Sequence, residues 1–134
     1  MNNYLKEYPT FQNCKKLREM SLNSNQIESI DGVHPDETPQ LRVLDLGSNN
    51  IFVSLDQWGI FVQILKQFTN LYQLNLEDNP FFAPENEEQF FQSGITMKED
   101  ILKEMYGLSS LNGLGRDEIE EQINNRANLM REAI

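Results

Sequence analysis

Side chains able to do nucleophilic, acid–base or metal chemistry are sparse in this sequence. It holds one cysteine, Cys14, and one histidine, His34. A Cys/His nucleophilic pair needs both together, and multi-ligand metal centres need more than these two residues supply. His34 stands beside Pro35 and Asp36, the composition of a loop. Carboxylates come in neighbouring pairs (Asp36/Glu37, Glu77/Asp78, Glu87/Glu88), the raw material of general acid–base catalysis. Acidic pairs are common on solvated surfaces, however, and no partner nucleophile accompanies these. Gly113 and Gly115 lack the Lys-Ser/Thr that completes a phosphate-binding loop. The residues therefore predict no enzyme, no metal, no cofactor and no small-molecule substrate.

The 134 residues suit one ordinary domain, with 39% hydrophobic and 24% charged residues. Eleven basic and 21 acidic residues give a net charge of −10, divided as −4 over residues 1–80 and −6 over 81–134. The dense basic cluster is Lys15, Lys16 and Arg18, too small for a phosphate-binding face. Direct nucleic-acid and membrane partners are not expected. Asn2, Asn3 and Tyr4 make neither a basic nor an apolar leader, and the lone Cys14 suits a reducing compartment.

Three segments repeat. Leu17-Arg18-Glu19-Met20-Ser21-Leu22-Asn23-Ser24-Asn25, Leu41-Arg42-Val43-Leu44-Asp45-Leu46-Gly47-Ser48-Asn49 and Leu71-Tyr72-Gln73-Leu74-Asn75-Leu76-Glu77-Asp78-Asn79 all read L-x-x-L-x-L-x-x-N, with one Met replacement. That is the leucine-rich repeat pattern. The L-x-L alternation predicts a short strand with one buried face. Stacking places Asn25, Asn49 and Asn79 in an internal ladder, bonding backbone groups that would otherwise be unpaired. Leu17, Met20, Leu22, Leu41, Leu44, Leu46, Leu71, Leu74 and Leu76 become core. The first repeat returns through Pro35 and Pro39, which predicts a loop or 3₁₀ turn. The second has room for a helix from about Asp56 to Phe68, capped by Ser54 or Asp56, with Leu55, Trp58, Phe61, Val62, Leu65 and Phe68 inward.

A solenoid needs covered ends. Tyr4 to Tyr8, Phe11 and Cys14 are placed over the first repeat. After Asn79-Pro80 comes an excursion from Phe82 to Thr96, a helix from Lys98 to Tyr106, the half repeat Leu108-Ser109-Ser110-Leu111-Asn112-Gly113, and an acidic turn leading into a helix from Asp117. This arrangement resembles the cap of intracellular leucine-rich repeat proteins, the family of the protein phosphatase 1 regulatory subunit, dynein light chain 1, tubulin-folding cofactor E and the spliceosomal A-prime protein. The likeness runs from about Phe11 to Gln122. It implies an α/β fold: a short solenoid with a parallel concave sheet, a helical or irregular convex side and a helical C-terminal cap. The expected divisions are an N-terminal cap (1–16), three repeats (17–81), a cap with a half repeat (82–116) and a C-terminal helix (117–134).

Function then falls to surfaces. Residues between the leucines face the concave side: Glu19, Ser21 and Asn23; Val43, Asp45 and Gly47; Gln73, Asn75 and Glu77, with Tyr72 at the edge. They form a polar, mildly acidic patch suited to a basic or hydrogen-bonding protein. Two secondary surfaces are Trp58, Ile60 and Ile64 on the repeat helix, and Met130 and Ile134 at the end of the last helix. The expectation is a protein-binding or structural subunit of a multi-subunit assembly, cytoplasmic and of cytoskeletal or ciliary flavour, with the nucleus left open. An enzyme regulator, as of a phosphatase, and a ribonucleoprotein component acting through a protein partner are the alternatives.

Overall fold

The computed structural model describes residues 4–12 and 14–132, the side chains at 127 and 130–132 excepted. Five short strands, β1 (Glu19–Ser21), β2 (Val43–Asp45), β3 (Gln73–Asn75), β4 (Ser110–Leu111) and β5 (Leu114–Gly115), lie in chain order in one sheet. The first four are parallel, and β5 turns back antiparallel on β4. Register aligns Met20 with Leu44, Leu44 with Leu74 and Leu74 with Leu111, so the middle apolar residue of every repeat faces one core.

The return arms differ, as their lengths predict. The first contains a 3₁₀ turn at Pro35–Glu37. The second passes through a 3₁₀ turn, Leu55–Gln57, into helix α1 (Trp58–Lys66). Neither Ser54 nor Asp56 caps that helix through its side chain; the 3₁₀ turn leads the chain in instead. Trp58, Phe61, Val62, Leu65 and Phe68 are buried as expected, while Leu55 is half-buried.

Each strand begins and ends in a repeated way. The carbonyl of Arg18 accepts from the amides of Arg42 and Val43, that of Arg42 from Tyr72 and Gln73, and that of Tyr72 from Ser109 and Ser110. Ser24, Ser48 and Asp78, each just before a ladder asparagine, hold positive φ angles of 62°, 53° and 57°. A left-handed non-glycine residue costs about 1–2 kcal/mol, so the turn relies on the asparagine that follows it.

Those asparagines are buried and stacked. Asn49 accepts from the Ile27 amide (3.1 Å) and donates to the carbonyls of Leu22 and Leu46 (both 3.0 Å). Asn79 repeats this one step along, accepting from Ile51 and donating to Leu46 and Leu76. Asn25 accepts from the Leu5 amide, and the Leu5 carbonyl accepts from Gln26. The N-terminal segment thus stands where a preceding repeat would lie. Being outermost, it leaves Leu17, Phe11 and Cys14 half-buried, where a full core position was expected for Leu17. Tyr8 is its buried anchor, edge-on to Phe11.

The C-terminal cap has two elements beyond those expected. The excursion is a helix, α2 (Pro84–Gln92), with proline in its first turn beside Glu85 and Glu87. The half repeat is a hairpin: Asn112 (φ 55°) and Gly113 (φ 77°) join β4 to β5 as a two-residue turn, the geometry for which Asn-Gly is suited. Asn112 also accepts from the Leu76 amide at 2.7 Å through its side chain, where Leu22 and Leu46 donate to the backbone carbonyls of Asp45 and Asn75 in the next strand. Helix α3 (Met97–Glu104) matches the expected cap helix, and α4 (Arg116–Glu132) begins one residue before expected. Arg116 joins these parts, donating to the carbonyls of Leu102 (3.0 Å), Met105 (2.8 Å) and Leu108 (3.0 Å).

Candidate partner-binding face

The strand residues between the core leucines project onto the concave side because successive side chains alternate. The first row is open: Glu19 is exposed, and Val43 and Gln73 lie beside it by register. Ser21 is exposed beside Asp45 and Asn75, which are half-buried, and Glu77 is exposed at the far end of β3's repeat. Tyr72 is 39% exposed at the strand start, in line with exposed Arg42 and Arg18. Val43, Asp45, Gln73, Asn75, Glu77 and Ser110 line a shallow depression of about 260 Å³.

Asp45 and Asn75 of the second row form a network with Asn23, which spacing alone does not reveal. The Asp45 carboxylate accepts from Asn23 Nδ2 (3.1 Å), Asn75 Nδ2 (3.0 Å) and the Gly47 amide (2.9 Å). Asn75 Oδ1 in turn accepts from the Glu77 amide at 3.1 Å, the same turn one repeat later. Glycine at 47 leaves space for this: a Cβ there would lie 2.7 Å from Asn75 Nδ2 and 2.8 Å from Asn23 Nδ2. Asn23, Asp45 and Asn75 therefore hold one another in place. Among the described residues Glu19, Ser21, Gln73 and Glu77 make no side-chain hydrogen bond that would occupy them.

The secondary surfaces are rearranged. Trp58 is 4% exposed and points inward, its indole Nε1 donating to Asp100 on α3 at 2.9 Å and its ring stacked on Phe61 and edge-on to Phe90. It ties α1 to the cap, as its inward place on the helical stripe implied, and is not the partner surface it was also expected to form. Ile60 is 64% exposed and Ile64 packs half-buried against the core. The Met130 side chain and Ile134 lie outside the described residues. Ile119 is buried on the cap, Ile123 half-buried, and Leu129 exposed.

The carboxylate pairs stand apart. Glu37 accepts from the Phe11 amide, Asp78 from the Ser48 hydroxyl, and Glu88 pairs with Arg126, which also lies over the Phe91 ring. Arg116 and α2, which matter for the cap, were missed by the sequence reading. The signals were Pro84 followed by glutamates and an arginine directly after the Asn-Gly hairpin.

Comparison with known proteins agrees with this geometry. Residues 7–51 match the family model described as leucine rich repeat. The U2 small nuclear ribonucleoprotein A' of Neurospora crassa is 37% identical over 71 residues, which is 53% of this chain and 26% of that protein. The match thus spans about a quarter of the relative's length. A chain from the crystal structure of the Drosophila melanogaster SNF/U2A' complex superposes with a TM-score of 0.64 over 97% of this chain and 70% of that one, at 20% identity. Three repeats, a stacked asparagine ladder and a C-terminal cap give this chain the fold of a short leucine-rich repeat solenoid, and residues 7–51 carry the sequence pattern of that family.

Proposed function

We propose that this chain is a non-catalytic protein-binding subunit of a small nuclear ribonucleoprotein, gripping a protein partner on its concave face. The observation that carries the binding reading is the pinned Asp45 network. Asn23, Asp45 and Asn75 are already held by one another, so Glu19, Ser21, Gln73, Glu77 and Tyr72 are presented from a rigid base. A preordered surface loses little conformational entropy on association. Its carboxylates favour a partner carrying lysine, arginine or hydrogen-bond donors.

The likeness to an A' protein favours the ribonucleoprotein alternative over a cytoskeletal assembly, and the nucleus over the cytoplasm. A net charge of −10 argues that RNA is reached through the partner rather than directly. The test is tagged purification from the native source, with U2 small nuclear RNA measured in the eluate, beside a binding assay of the purified chain with that RNA. The proposal expects RNA in the first and none in the second. RNA held by the chain alone, or absent from both, would overturn it. A Glu19→Lys/Glu77→Lys variant should fold normally and recover neither partner nor RNA; Asp45 is left intact because it belongs to the network.

A further inference from the structure

The convex side carries a second groove, between the return of the first repeat and α1. Its floor is buried Ile30, Ile51 and Phe61, and its walls are Phe52, Ile60 and Ile64. It encloses about 200 Å³, room for one or two bulky side chains. Phe52 is 53% exposed and Ile60 is 64% exposed, although each stands beside an apolar floor. Isolated exposed apolar residues are ordinary, but here two of them border one concave site with an apolar floor and a polar edge of Ser29, Asp31 and Gln57, the make-up of an interaction surface.

The charges around the groove are of one sign. Asp31 lines it, Glu28 bonds through its carbonyl to the Phe52 amide, and Asp56 lies beside the lining residue Gln57. All three carboxylates are on exposed residues and none forms an ion pair among the described residues. No lysine or arginine lines the groove; Lys66, the basic residue of α1, is paired with Glu104 of α3. An occupant must therefore bring apolar side chains for the floor and positive charge for the rim.

We infer that this groove docks a peptide segment of a second protein, presenting bulky apolar side chains flanked by lysine or arginine, independently of the concave face. The experiment maps amide shifts of the isotope-labelled full chain on titration with a synthetic helical peptide carrying leucine at i, i+3, i+4 and i+7 and lysine on the flanking positions. Control peptides carry glutamate for lysine, or serine for leucine. Shifts should centre on residues 28–31, 51–53 and 57–64, and both controls should fail. Ile60→Ser and Phe52→Ser should each weaken binding by about tenfold, the scale of losing one buried apolar side chain. Asp31→Lys should weaken it and flatten its salt dependence. Shifts spread over the acidic surface or centred on the concave strands, or binding unchanged in Ile60→Ser, would overturn the inference. So would a concentration-dependent dimer, seen by sedimentation, that Ile60→Ser abolishes, because the occupant would then be a second copy of this chain.

Discussion

Replacing Asn49 by alanine tests the ladder where its arithmetic is cleanest. The substitution removes the acceptor for the Ile27 amide, which lies on a residue with 0% exposure. It also removes a donor to the Leu22, Leu46 and Gly47 carbonyls, but each of those keeps another, from Asn25, Asn79 and the Ser24 amide respectively. One buried donor is stranded and three carbonyls are only half deprived. A stranded buried group costs about 1–3 kcal/mol, so Asn49→Ala should lose about 2–3 kcal/mol. Asn25→Ala strands the amide of Leu5, which lies on a residue 43% exposed in the outermost segment, and should cost about 1 kcal/mol or less. The double variant leaves the Leu22 carbonyl without either asparagine, so its cost should exceed the sum of the singles by about 1 kcal/mol. Urea unfolding measures all three, with the midpoint falling and the slope unchanged. Equal costs for the two single variants, or strict additivity in the double, would refute the shared-carbonyl reasoning.

Other outcomes follow from single contacts. Arg116→Ala should destabilise the cap by about 2 kcal/mol, given three charge-assisted bonds on a half-exposed side chain, and Arg116→Lys should not restore it, because one ammonium cannot reach three carbonyls as a planar fork does; thermal unfolding reads both. Tyr8 has no hydrogen-bond partner for its hydroxyl among the described residues, and burial raises its pKa above the usual 10.0. The unfolded chain therefore releases this proton first: stability is intact below pH 10.0 and falls as pH rises above it, and Tyr8→Phe should remove that decline in an alkaline series while gaining about 1 kcal/mol. Gly47→Ala should push the Asn23 and Asn75 amides off Asp45, seen as a change in both side-chain NH₂ resonances, while the ladder and global fold persist.

Legibility followed the kind of order each residue serves. Asn25, Asn49 and Asn79 were readable because a stack repeats a fixed spacing, and every rung needs the same amide in the same place. The helix α2 was not, since Phe90 and Phe91 are adjacent in an acidic stretch and trace no helical stripe, although Pro84 and its glutamates mark a first turn. Asn112 and Gly113 matched the repeat up to the turn, so the hairpin hid inside a half-repeat reading. On the concave face the outward positions were legible from alternation. The Asp45 network was not, because it forms between strands 22 and 30 residues apart in sequence and depends on register. Trp58 was legible as a core residue from helical spacing, but its partners Asp100 and Phe90 come from later helices, so its removal from the binding surface was not.

The most direct measurement places a photo-crosslinking residue at Gln73, exposed on the concave sheet, and in a second variant at Asp36, exposed on the first return arm. Each is incorporated into the assembled particle in the native source, irradiated and analysed for protein and RNA adducts. The account predicts a single dominant protein adduct from Gln73, absent from Asp36, with RNA recovered only in association with that protein. RNA joined directly to Gln73, or the same protein adduct from both positions, would contradict it.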